Sequence, residues 1–396
     1  MSVTAPQGFR AAGVTAGLKE SGKPDVALVV NDGPRFDAAG VFTANRVKAA
    51  PIRWCESLFG ADGGDGGRGA QLAAVILNSG GANACTGPEG YQDTVTTAEH
   101  VGSILSLPAN RVAVASTGLI GVRLPMDLLL AGAGDAHHAL SGSEGSGGTD
   151  AAVAIMTTDT VPKTVAVQGV GFTVGGMAKG AGMLAPGLAT MLVVLTTDAV
   201  ADGATLDTAL RAATRVSFDR LDSDGAMSTN DTVLLLASGA SGTAPSQQQL
   251  TAAVTRACTD LARQLLADAE GATKEIEIEV RGAATEDGAV EVGRAVARNN
   301  LVKTAFFGQD PNWGRILAAV GTVGPHVEFD ADTIDVTLNG VQICRAGGVG
   351  DDRDLVDLTG RQAHVVIDLH AGSETATILT NDLSHAYVHE NSAYST

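Results

Sequence analysis

The chain has 396 residues, 44% of them apolar and 18% charged, with a formal net charge of −18 at pH 7. This is enough for two domains or one large one with a real core, and it is not a disordered composition. The acidity excludes the basic face that nucleic acid or an anionic membrane would need. Cys55, Cys85, Cys258 and Cys344 are too dispersed for metal spacing or a disulfide framework. No basic leader with an apolar stretch opens the chain and no run of about 18 apolar residues suggests a span, so the cytoplasm is the expected compartment.

In chain order, Asp25–Val30 and 40–44 read as strands, and 60–69 as a glycine-rich surface loop. Leu72–Leu77 is a buried strand running into Asn78-Ser-Gly-Gly-Ala-Asn-Ala-Cys-Thr-Gly87, small and polar enough for a functional loop. A helix is expected over 89–107. A strand over 111–115 then ends in Ser116-Thr117-Gly118, where a glycine can expose backbone N–H groups to an oxyanion. A helix over 126–140 leads to a second glycine-rich loop, 141–148. A short helix over 150–156 ends at Thr157-Thr158-Asp159-Thr160.

Strands at 163–168 and 172–174 precede the central stretch Gly176-Met-Ala-Lys179-Gly-Ala-Gly-Met-Leu-Ala-Pro-Gly-Leu-Ala-Thr190, which runs into the apolar segment 191–195. Pro-Gly marks a turn and a short apolar run a buried strand, so Thr190 stands at a strand mouth after a tight bend. Such a threonine is ordinarily structural. A helix is expected over 205–219, and the acids of 222–231 lack the spacing of a calcium loop. The clearest helix spans 247–270, with Leu250, Val254, Cys258, Leu261 and Leu265 on one face. That places Glu270 at a helix C-terminus, where a carboxylate opposes the dipole. Strands are expected at 275–280, 301–307, 333–338, 364–369 and 375–380, and helices at 286–298 and from 308–315 onward. His385 and His389 have helical spacing without a third ligand, so no metal is expected.

Together these motifs resemble the ornithine acetyltransferases (glutamate N-acetyltransferases) of arginine biosynthesis, over nearly the whole chain. The resemblance rests on Asn78–Gly87, Ser116–Gly121, Ile155–Asp159, Ala178–Met183 and Leu188–Leu192. It rests also on Ser228–Thr232, Asp268–Gly271, Asp310–Arg315 and Glu390–Thr396. It implies an α/β (α+β), two-domain fold of layered sheets and helices, of the N-terminal-nucleophile-like type. It implies self-cleavage at Ala189–Thr190 into chains 1–189 and 190–396, with Thr190 the nucleophile. The freed α-amine, with a reference pKa of about 7.7–8.0, would serve as its base. By the same resemblance, Thr117 and Gly118 form the oxyanion hole, and Thr157, Lys179, Thr190, Glu270, Asn391 and Thr396 line the substrate site. The implied substrates are N2-acetyl-ornithine and glutamate, with no cofactor and with acetyl-CoA as an alternative donor. The implied assembly is a heterotetramer of two of each chain, or larger. A related self-cleaving amidohydrolase or aminopeptidase is the alternative, sharing the nucleophile but lacking the acceptor pocket.

Overall fold

A computed structural model describes residues 2–60, 69–140, 146–183 and 191–393 of the protein. Ala189, Thr190 and Thr396 lie outside these residues, as do 61–68 and 141–145 of the two glycine-rich loops.

The strand Leu192–Thr197 shows how the first body is layered. Leu192 and Val194 join one core with Val29, Leu77 and Ala113. Val193 and Leu195 join another with Leu250, Val254 and Leu261 of the helix Gln247–Ala267. A strand buried on both faces reads as an unbroken apolar run, as this one does. Its sheet has six strands, in the order Ala70–Gln71, Asp37–Phe42, Thr232–Ala237, Leu192–Thr197, Thr173–Lys179, Lys163–Gln168. A four-stranded sheet, Phe9–Val14, Val26–Asn31, Ala74–Gly81, Val112–Leu119, packs against one of its faces. The outer face of that second sheet carries the helices Gly87–Leu105 and Met126–Ala139. The order is therefore helix, sheet, sheet, helix. Each fully buried Leu or Val in the layers contributes roughly 1.5–3 kcal/mol.

A second body begins near residue 275. Its own six-stranded sheet runs Gly348–Val349, Val341–Arg345, Asp335–Leu338, Gln362–Asp368, Glu275–Ala283, Glu374–Asn381. The helices Glu286–Ala297 and Trp313–Val320 pack on it. The packing boundary is thus not the expected cut. Residues 179 and 192, on either side of that cut, stand opposite each other in one antiparallel strand pair.

Several expected elements need correction. Residues 301–307 are not a strand but the helix Asn300–Phe307. Asn299 caps it by accepting the Leu301 and Val302 amides, and Val302, Ala305 and Phe306 bury one helical face. The run Leu-Val-Lys-Thr-Ala-Phe-Phe is too short for periodicity to decide. The helix expected over 247–270 stops at Ala267, so Glu270 lies in the following turn and its supposed clash with the dipole disappears. The strand expected to end at 115 continues to Leu119, and that at 72–77 continues to Gly81. These two pair in parallel, bringing Gly80 beside Gly118.

Candidate active site

The site forms where the strand Thr173–Lys179 ends. Lys179, its last residue, is only 1% exposed, and its Nζ donates to Thr157 Oγ1 at 3.2 Å. Burial pulls the Lys179 ammonium below its ordinary pKa, against the fields of Asp159, Asp231 and Glu270. The next residue, Gly180, gives its amide to Asp159 Oδ1 at 2.7 Å, and Thr157 gives its amide to Asp159 Oδ2 at 3.0 Å. Asp159 thus ties the 157–160 turn to the strand end. Burial works to raise the Asp159 pKa and is the largest single influence, but the Lys179 and Lys163 ammoniums together with the hydrogen bonds from Gly180 and Lys163 hold the carboxyl below its usual value. Lys163 completes this corner with contacts of 2.6 Å to both Asp159 and Asp268.

Glu270 arrives from the turn after the long helix. Its amide donates to Ala181 O at 3.0 Å. Thr158 Oγ1 donates to Oε1 at 2.8 Å, and Asn391 Nδ2 donates to Oε2 at 3.0 Å. Asn391 comes from the helix His385–Ala393. Gly182 leaves room for this carboxylate: a Cβ on it would stand 2.6 Å from the Glu270 carboxylate, which would have to shift. Segments far apart in the sequence therefore bring Thr157, Lys179, Glu270 and Asn391 together.

Thr117 and Gly118 lie on the strand Val112–Leu119 of the facing sheet. Gly118 has φ of +129°, and a Cβ on it would meet the Gly80 and Gly81 backbone at 2.6 Å. This strand is tied to the site through Asn230, whose Nδ2 donates to Ser116 O at 2.8 Å and Ala82 O at 2.6 Å. The next residue, Asp231, accepts the Met191 amide on Oδ1 at 3.1 Å. Its Oδ2 has no hydrogen-bond partner among the described residues. Burial drives the Asp231 pKa well above the usual carboxylate value. Met191 directly follows Thr190 in sequence, so Asn230 and Asp231 join the Thr117–Gly118 strand to the backbone beside the expected nucleophile.

Sequence reasoning gives no site role to Asp159, Lys163, Asn230 or Asp231, and it weighs the acids of 222–231 only for a metal. Instead Asp224 accepts the Met183 amide at 2.6 Å, Asp231 holds Met191, and Asp222 meets Arg298 Nε at 2.7 Å. The signal is present in Ser228-Thr-Asn-Asp-Thr232, a polar run directly before a buried strand.

The sequence model of the ArgJ family matches residues 10–396. The chain is 63% identical over 395 residues to the arginine biosynthesis bifunctional protein ArgJ of Streptomyces avermitilis, with 100% of both chains covered. It is 61% identical to the protein of the same name from Streptomyces coelicolor, again over 395 residues and 100% of both. Among solved structures, the ornithine acetyltransferase of Mycobacterium tuberculosis complexed with ornithine is 54% identical. That match covers 48% of this chain and 96% of the other, with a TM-score of 0.42.

Proposed function

Because the chain belongs to the ArgJ family, we propose that it is a self-cleaving acetyltransferase that moves the acetyl group of N2-acetyl-ornithine to glutamate. The observation that supports this reading is the meeting of Thr157, Lys179, Glu270 and Asn391 at the strand end that adjoins Met191. A buried ammonium and a carboxylate in one site suit an amino-acid substrate, whose own charges are opposite in sign.

Processing begins when Thr190 Oγ attacks the Ala189 carbonyl. The peptide C–N bond breaks, an ester forms, and water hydrolyses it, leaving chains 1–189 and 190–396. In transfer, the Thr190 α-amine takes the hydroxyl proton as Oγ attacks the acetyl carbon. Thr117 and Gly118 stabilise the oxyanion, one such donor being worth about 3 kcal/mol. The C–N bond to ornithine breaks, the departing amine takes the proton, and an acetyl ester on Thr190 remains. The glutamate α-amine then attacks the ester. Its proton passes to Thr190 Oγ, and N-acetylglutamate leaves. Lys179 meets the substrate α-carboxylate, and Thr157, Asn391 and Thr396 complete the pocket with Glu270. Acetyl-CoA serves as a second donor to the same ester, the two chains stay together as a heterotetramer or larger, and the enzyme works in the cytoplasm.

The test is direct. A denaturing gel of the purified protein should show two pieces divided at 189/190, and Thr190→Ala should leave one full-length band. Incubation with N2-acetyl-ornithine and glutamate should yield N-acetylglutamate. A single band from the unaltered chain, or release of acetate without transfer, would overturn the reading. Acetyl-CoA and glutamate alone test the second donor.

A further inference from the structure

The loop 16–25 touches both sides of the site, yet the reaction scheme gives it no part. Asp25 is fully buried just before the strand Val26–Asn31 and gathers four successive backbone amides. Ala16 donates to Oδ1 at 2.6 Å, and Gly17, Leu18 and Lys19 donate to Oδ2 at 3.0, 2.6 and 3.1 Å. Successive N–H groups curled round an anion form a nest, and here the chain fills it with its own carboxylate. Gly17, at φ of +90°, permits the curl.

The loop meets one side of the site at Gly80. The Leu18 carbonyl packs so closely on this residue that a Cβ there would stand 2.9 Å from its oxygen. Gly80 stands opposite Gly118 in the parallel strand pair. The Asp25 carbonyl accepts the amide of Ser79, the residue before Gly80, at 2.9 Å.

The Lys19 side chain reaches the other side. Its Nζ donates to Pro24 O at 2.8 Å and to Met156 O at 2.6 Å, the second bond spanning 137 residues. Met156 O and the Thr157 amide belong to one planar peptide unit. Lys19 holds the oxygen edge of that plane, and Asp159 Oδ2 holds its N–H edge at 3.0 Å. With both edges tied, the plane fixes where the Thr157 side chain starts, and Thr157 Oγ1 is the atom that accepts from Lys179. Burial pulls the Lys19 pKa down to about 8, the Lys179 and Lys23 charges adding to the fall while Asp25 and Asp159 oppose it. Lys19 therefore still carries its charge at pH 7, and a hydrogen bond from an ammonium is roughly twice as strong as a neutral one.

We propose that Lys19 is a positioning residue of the transfer: by holding the Met156 carbonyl it sets the Thr157 hydroxyl against Lys179, and through the loop that packs on Gly80 it ties that contact to the Thr117–Gly118 strand. This rests on the transfer reading given above, in which Lys179 meets the substrate carboxylate. Lys19 touches no reacting atom in that scheme. Once released from Lys19, the 156–157 plane is free to turn, and the Thr157 hydroxyl no longer fixes the Lys179 ammonium where the carboxylate arrives.

The experiment is a double-mutant cycle on the processed enzyme, read as kcat/KM for N2-acetyl-ornithine with glutamate as acceptor. Lys19→Met should lower kcat/KM about tenfold, chiefly through KM, and Thr157→Val by a similar factor. Because Lys19 acts through Thr157, the double variant should lose about tenfold rather than the roughly hundredfold of two independent sites. A purely structural lysine would instead reduce the amount of active enzyme, lowering kcat at unchanged KM. Losses that multiply, or a fall in kcat alone, would overturn the proposal. If Lys19→Met does not fold, Lys19→Gln, shorter and uncharged, takes its place in the same cycle. Absence of transfer in the unaltered enzyme would instead overturn the transfer reading itself.

Discussion

Two lysines on adjacent strands, Lys163 and Lys179, are both almost wholly buried, yet their surroundings differ. Lys163 touches two carboxylates, Asp159 and Asp268, at 2.6 Å each. Lys179 meets the Thr157 hydroxyl at 3.2 Å, and burial lowers its proton affinity. A lysine locked between carboxylates is a tie between segments. A lysine whose charge is under strain from burial gains by meeting a substrate carboxylate. The same side chain, one strand apart, thus serves structure in one place and, in the reaction proposed above, recognition in the other.

Substitutions can break that contrast. Lys163→Met leaves Asp159 and Asp268 buried without their cation and should destabilise the fold by about 3–5 kcal/mol, as read by urea unfolding. Lys179→Met should lose about a hundredfold in kcat/KM for acetyl-ornithine while keeping most of the melting temperature. Equal stability losses in the two variants would dissolve the distinction. Thr157→Val removes a hydroxyl that accepts from Lys179 and that the proposed pocket includes, and should lower kcat/KM about tenfold. The smallest effect is a shift of pH profile. The Lys179 pKa is lowered in the fold, so its cationic form is lost as pH rises through that lowered value. The alkaline fall in kcat/KM should therefore lie below the ordinary lysine pKa of about 10.4 and vanish in Lys179→Met. The linkage for stability has the opposite sense: between the two pKa values the unfolded chain binds more protons, so the Lys179 contribution to stability grows with pH. Asp159, Lys163, Asp231 and Glu270 all face this ammonium and set where the fall occurs.

The contrast between the lysines is only half legible in the sequence. Lys179 can be singled out because it stands in a glycine-rich segment before a Pro-Gly turn, and the family motif includes it. Lys163 cannot, because one of its partners, Asp268, lies 105 residues away. Asp231 is hidden for a similar reason, since its Met191 contact crosses 40 residues. Buried strands such as Leu192–Thr197 and Thr232–Ala237 declare themselves by apolar runs. The helix Asn300–Phe307 does not, because so short an element offers little pattern and its cap lies outside the apolar run. Glu270 stands out in the sequence for the wrong reason: its turn, not a helix end, carries it to Thr158 and Asn391.

The pairing of residue 179 with residue 192 also bears on how the molecule is made. If the chain is cut at 189/190 as proposed above, the two pieces share one sheet, and neither could close its edge alone. In the uncut chain, joining those strands is a matter of closing a short loop; afterwards it is a meeting of two separate molecules. Maturation would then be a one-way street: the sheet is assembled while the connection exists, and heat that parts the processed pieces erases a memory that the intact precursor could still recover.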